Sequence, residues 1–295
     1  MKHEFKITAI ILIMFLLAQF IGLYVIHSYS SGEKGLPYGM ETPELETSRD
    51  FAGMLVSIIF AFIIAITLFL FFTKMDLSFV LKIWFFFVIM LALGLAFTAI
   101  LPRFNYSPLA ALLLALPLAL STIYSRNILS HNLAQIFIFP GISAVFVPIF
   151  NIWTILIILV LISIYDMWAV WHSGIMQKMA KYQIQKLRIF AGFMIPSISK
   201  ALREKIKNMK PSELKTKKIK VNIAVLGGGD IVFPLITAGV FLKFYGIIPA
   251  LFVVAGATIG LCSLLFYGDK KKSYPAMPYI TAGILLALGF WLIIF

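Results

Sequence analysis

Two aspartates stand inside apolar runs where an ionisable side chain is costly. Asp230 closes the glycine run in Leu226-Gly227-Gly228-Gly229-Asp230-Ile231-Val232-Phe233-Pro234, part of a stretch otherwise apolar from Val221 to Leu242. Asp166 lies in Ile164-Tyr165-Asp166-Met167-Trp168. Asp166 comes twelve residues before Lys178, the first cation of a basic segment, and Asp230 ten residues after Lys220, its last. Read as helix, ten residues rise roughly 15 Å. Two helices entering from one face can therefore hold both carboxyl groups at one depth. Close carboxyl groups in a poorly solvated site cannot both ionise, so one keeps its proton while the other acts as a base. The base takes a proton from water and the acid polarises a carbonyl. This hydrolysis calls for no covalent intermediate, metal or cofactor. Ion- or proton-coupled transporters and channels also use midplane acids and broken helices. The glycines before Asp230 suit an unwound transporter segment as well, so spacing alone leaves both chemistries open.

The elements that must carry these acids follow from composition. With 295 residues, 61% hydrophobic and 13% charged, the chain is too apolar for a soluble domain and reads as an all-α polytopic membrane protein. Runs of spanning length occur at about 7–26, 51–73, 79–101, 108–124, 133–150, 151–170, 221–242, 247–267 and 276–295. That makes nine predicted helices, the fifth and sixth separated at Phe150-Asn151 on the turn signals of Pro148 and Asn151. The net charge of +13 does not point to nucleic acid, because His172 to Lys220 alone holds thirteen Lys/Arg against two acids. That segment reads as a cytoplasmic loop in contact with anionic headgroups of the lipid bilayer. Lys2 and Lys6 then place the N-terminus inside, while the acidic first loop (Glu33, Glu41, Glu44, Glu46, Asp50) falls outside. Nine spans put Phe295 at the outer face. The organisation is residues 1–170 with helices one to six, 171–220 as the basic loop, and 221–295 with helices seven to nine. Met176, Met179, Ile184, Leu187 and Phe190 recur at helical intervals, which extends the sixth helix inward. After Pro196, Lys200 to Lys220 reads as a polar loop with a short basic helix.

Other chemistries find less support. One cysteine, Cys262, excludes an internal disulfide and a Cys-based metal cluster. The histidines form no His-Glu-x-x-His pattern, which disfavours a zinc protease. Gly141-Ile142-Ser143-Ala144, with His172 in a later helix, has the look of an intramembrane serine protease, although Pro140, Gly141 and Pro148 more simply mark a kinked helix.

Tyr165-Asp166, Gly227-Gly228-Gly229-Asp230 and Pro275-Ala276-Met277 together resemble the signature of the presenilin and signal peptide peptidase family of intramembrane aspartyl proteases. That signature is Tyr-Asp in the sixth helix, Gly-x-Gly-Asp in the seventh and Pro-Ala-Leu at the start of the ninth, and the compact ends look like microbial members. The resemblance implies a presenilin-like fold, an Asp166/Asp230 dyad, and substrates that are transmembrane helices of other membrane proteins. The inside N-terminus is presenilin-like and implies substrates whose own N-terminus lies outside. Met277 replaces the family's Leu, a volume-conserving change. Gly228 stands where Leu is frequent, at a position that the resemblance implies shapes substrate preference and dyad spacing. Gly227 and Gly229 give clearance beside Asp230. Pro275, without an amide proton, breaks the helix start with Ala276 and Met277 behind it, exposing backbone that can line the cavity or pair with a substrate strand. For Tyr165, a hydrogen bond near the site and plain aromatic packing are both open.

Overall fold

A computed structural model of the chain describes residues 5–30, 35–41, 43, 47–75, 77–101, 107–124, 127–173, 190–197, 222–268 and 274–295. Its helices are α1 (Phe5–Ser30), α2 (Ser48–Lys74), α3 (Ser78–Ile100), α4 (Ser107–Tyr124), α5 (Ile128–Phe146), α6 (Ile152–Trp168), α7 (Gly229–Tyr245), α8 (Ile247–Tyr267) and α9 (Met277–Ile294). Among the described residues, α1 to α6, α8 and α9 are eight helices long and apolar enough to cross a membrane. Their outward faces carry large bare apolar side chains, such as Phe60 and Ile64 on α2, Trp84 on α3 and Leu286 on α9. In water such a surface would aggregate; in a bilayer it is solvated.

The division between the fifth and sixth helices falls where Pro148 and Asn151 predict it. A 3-10 turn, Val147–Ile149, follows α5. Asn151 then caps α6 in a reciprocal capping box, its side chain accepting from the Thr154 N–H at 2.8 Å while Thr154 Oγ1 accepts from the Asn151 N–H at 3.0 Å.

The expectation of a purely α chain with a seventh helix from 221 is corrected. Asn222–Gly227 is a strand, β2, and α7 begins at Gly229 and runs 17 residues. β2 pairs antiparallel with β1, Gly192–Ser197, in the register Gly192↔Gly227 through Ser197↔Asn222. The reason is period: Ile223 and Val225 are exposed while Ala224 and Leu226 are buried, an alternation of two that a helix cannot make. Asp230 therefore sits in a first helical turn beyond a strand, not midway along a helix. The inward continuation of the sixth helix through Met176–Arg188 and the Lys200–Lys220 stretch lie outside the described residues.

α1, α5 and α7 run alongside one another at the centre. On α1, Gln19 meets Ile231, Gly22 meets Leu235 and Ile26 meets Gly239, so α1 and α7 are parallel. The hairpin occupies the place of a lower half of α7: Phe193, Ile195, Ala224 and Leu226 share one core with Ile7, Ile11 and Phe15 of α1 and Phe139 of α5. α8 and α9 are antiparallel and touch backbone to backbone. A Cβ on Gly260 would lie 2.2 Å from the Tyr279 carbonyl oxygen, and one on Gly283 would lie 2.2 Å from that of Gly256. Small residues permit this approach, which stands in for the absent hydrophobic drive between helices in lipid.

Candidate functional site

Three helix ends converge. α6 runs antiparallel to α9, as two linked polar contacts show: Ser163 Oγ donates to Thr281 Oγ1 at 2.8 Å, and one turn further along α6 Asp166 reaches Met277. α7 and α9 run the same way, their far ends in contact where Trp291 packs on Phe241 and Tyr245. The last turn of α6 and the first turns of α7 and α9 thus lie at one end of the bundle. Asp166 is in that last turn and Asp230 in the first turn of α7. α6 and α7 share a core in which Ile155 and Ile158 pack with Leu235 and Ile236.

Asp166 is 4% exposed. Its Oδ2 accepts the Met277 N–H at 3.1 Å, and the Ala276 backbone is a second hydrogen-bond partner. Amides in the first turn of a helix have no partner within it, so a carboxylate supplied by α6 satisfies the start of α9. The Pro275-Ala276-Met277 segment is buried and places those amides there. The sequence offers this motif's exposed backbone to the cavity or to a substrate strand; here that backbone holds Asp166.

Asp230 is half-buried. A Cβ on Gly227 would sit 3.2 Å from its Oδ2, so a side chain at that position would crowd the carboxyl group. Gly228 is buried, and its N–H donates to the Ala191 carbonyl at 2.9 Å. A Cβ there would meet Phe139 Cε1 at 3.0 Å and the Ala191 oxygen at 3.1 Å. The space a larger residue would need is filled by α5 and the start of β1, which gives Gly228 a local reason. Gly229 is exposed and unconstrained, with the nearest atom to a Cβ at 3.7 Å. The ring of Tyr165 lies 6.4 Å from that of Trp168, an aromatic packing contact at the same end.

Sequence reasoning missed two sets of polar residues. Gln19, fully buried on α1, donates through Nε2 to the Ile231 carbonyl at 3.0 Å, next to Asp230. His131, Asn132 and Gln135 of α5 bind the backbone of residues 190–194. A polar group inside a span is itself the signal that could have found them. The serine-protease pairing does not form: Ser143 is fully buried near the far end of α5, and His172 is exposed beyond α6, about 30 Å of helix away.

A family model described as signal-peptide peptidase, presenilin aspartyl protease matches residues 10–295. Two solved structures described as a presenilin family intramembrane aspartate protease, in C222 and P2 space groups, superpose with TM-scores of 0.62 and 0.63, each at 16% identity. The first match covers 98% of this chain and 99% of that one, the second 97% of each, so the fold is shared end to end. No protein of curated function matches the sequence.

Proposed function

The chain belongs to the signal-peptide peptidase and presenilin family of aspartyl proteases, and from that premise we propose that Asp166 and Asp230 act as one pair that hydrolyses peptide bonds within transmembrane segments by activating water. It is a multi-pass membrane protein and a hydrolase acting on peptide bonds. The observation that carries the proposal is the convergence of the two acid-bearing helix ends with the start of α9. One proton is shared: the ionised carboxyl group draws the proton from water, and the protonated one hydrogen-bonds the scissile carbonyl oxygen. The pair titrates as a unit, so neither acid is assigned as the base. Tetrahedral collapse returns the proton to the leaving amine. Asp166, held by α9 amides, is the fixed partner; Asp230, half-buried beside the glycines, is the one that substrate approaches.

The substrate must arrive extended, because a helical peptide bond is shielded by its own hydrogen bonds. β2 pairs with β1 on one side only in the described two-stranded sheet, and its last residue is three before Asp230. Its other edge can receive an extended backbone by strand addition. Gly227, where a side chain would crowd the Asp230 carboxyl group, then leaves room for that backbone beside the acid. In this reading α7 completes nine spans in a cell membrane, with the N-terminus and the basic 171–220 loop cytoplasmic and the C-terminus outside. The 1–170 and 221–295 parts each bring one acid.

The test is cleavage of a synthetic single-span peptide by the purified chain in detergent. Asp166→Asn and Asp230→Asn should each abolish product while leaving the protein folded. Intact peptide after long incubation with the unmutated chain, together with ion-coupled flux in liposomes, would instead favour the transporter reading.

A further inference from the structure

α5 is buried along one polar stripe, His131, Asn132 and Gln135, and the hydrolysis outlined above uses none of them. All three bind the backbone of a single chain segment. His131 Nε2 lies 3.0 Å from the Gly192 carbonyl oxygen. Asn132 Nδ2 donates to the Met194 carbonyl at 2.7 Å, and its Oδ1 accepts the Met194 N–H at 3.0 Å. Gln135 Nε2 donates to the Phe190 carbonyl at 3.3 Å. Residues 190, 192 and 194 alternate, and alternate residues of a strand present their backbone groups to the same edge. The stripe therefore occupies the position a third strand would take on the outer side of β1. Asn132 does so most completely, because its carboxamide reproduces the paired donor and acceptor of a peptide group.

Two consequences follow for the site. With β2 on one edge and α5 on the other, β1 has no edge to offer a substrate strand. The stripe also reaches α7: the Ala191 carbonyl, between two tethered residues, accepts the N–H of Gly228, two positions before Asp230.

We infer that His131, Asn132 and Gln135 are positioning residues of the protease. They hold β1 as a fixed template, direct an incoming extended chain to β2, and set which of its peptide bonds stands against Asp230. They touch neither the substrate nor the reacting atoms. The inference rests on the proteolytic reading, so the two Asp→Asn variants accompany the experiment: if they still cleave, that reading fails whatever the stripe does.

The full-length protein in detergent is assayed on the single-span peptide, with products placed by mass spectrometry and backbone amide exchange followed in parallel. Asn132→Leu removes both bonds to Met194 at nearly constant volume. Expected are faster exchange across residues 190–197, products spread over neighbouring bonds instead of one, and kcat lower by about tenfold or more with a smaller change in KM. Asn132→Asp, which keeps the acceptor for the Met194 N–H, should recover much of the single-bond product pattern. Gln135→Leu breaks only the longest bond and should shift the same readouts in the same direction to a lesser extent, which covers the case of an Asn132→Leu protein that does not fold. Unchanged exchange at 190–197 and an unchanged cleavage bond in the folded variants would overturn the inference.

Discussion

The backbone contact between α8 and α9 makes Gly260→Ala a sharp probe of the site, although Gly260 is far from either aspartate in sequence. The new methyl group would lie 2.2 Å from the Tyr279 oxygen, 2.9 Å from its carbonyl carbon and 2.9 Å from Ile280 Cα, and ordinary contact begins at 3.4 Å. Every clashing atom is backbone, so no rotamer relieves it. α9 must retreat by about 1 Å. Met277 is two residues before Tyr279, about 3 Å along the helix, too close for the displacement to fade. Its N–H would then leave Asp166 Oδ2, now 3.1 Å away. Overpacking costs about 1–3 kcal/mol, and loss of a hydrogen bond to a charged group about 1.5–3 kcal/mol. For catalysis, a misplacement of about 1 Å costs on the order of 10²-fold. The expected result is kcat reduced by one to two orders of magnitude, with a thermal inactivation midpoint several degrees lower, at ~2–4 °C per kcal/mol. Gly289→Ala is the matched control on α9, since nothing lies within 4 Å of its would-be Cβ. The reasoning is refuted if Gly260→Ala keeps the unmutated kcat, or if Gly289→Ala loses as much.

Gly228→Leu should lose cleavage and about 1–3 kcal/mol of stability by driving a side chain into Phe139 and Ala191, and Phe139→Ala on that background should restore part of both, read by peptide cleavage and thermal inactivation. Gln19→Leu removes the bond to the Ile231 carbonyl, about 0.5–1.5 kcal/mol, and should lower kcat more than it raises KM. Asn151→Ala should cost about 1 kcal/mol through the lost cap yet leave kcat unchanged, because the cap is at the opposite end of α6 from Asp166. The Tyr38 hydroxyl bonds the Pro108 carbonyl at 3.0 Å and lies 3.1 Å from Thr98 Oγ1; burial holds its pKa above the usual tyrosine value, partly offset by the Thr98 bond. Its contribution is complete below about pH 10 and is lost as pH rises through the raised value, so Tyr38→Phe should lose less stability between neutral and alkaline pH than the unmutated chain, measured by inactivation midpoints.

How much of this was legible depended on range. The break at Asn151 was readable because Pro148 and Asn151 are local signals with local effects. The three motif segments were readable as a set, and Asp166 and Met277 do meet. That Pro275-Ala276-Met277 acts through exposed backbone was readable, but its partner Asp166 was not, since backbone N–H donation is something any residue except proline supplies. The hairpin stayed hidden for a related reason. Ile223 to Leu226 leads into α7 through a largely apolar stretch interrupted only by three glycines and Asp230, and so short an alternation cannot be told from the start of a buried helix without the partner strand. That partner, Gly192–Ser197, contains Pro196 and lies across a long basic segment. His131, Asn132 and Gln135 were visible as polar residues in a span, but only the hairpin explains them.

The bond between Gln19 and Ile231 joins residues 212 positions apart, and that between Asp166 and Met277 residues 111 apart. Contacts of such separation close last, and the ribosome delivers only about 5–20 residues per second. For roughly ten seconds or more after α1 enters the bilayer, its glutamine has no seventh helix to bind. A nascent chain halted before Pro275 already contains both aspartates, but lacks the amides that Asp166 takes from α9. α9 follows both aspartates in the chain, so under the proposed mechanism a nascent chain that has not yet brought Met277 to Asp166 is unable to cut the helices inserting around it.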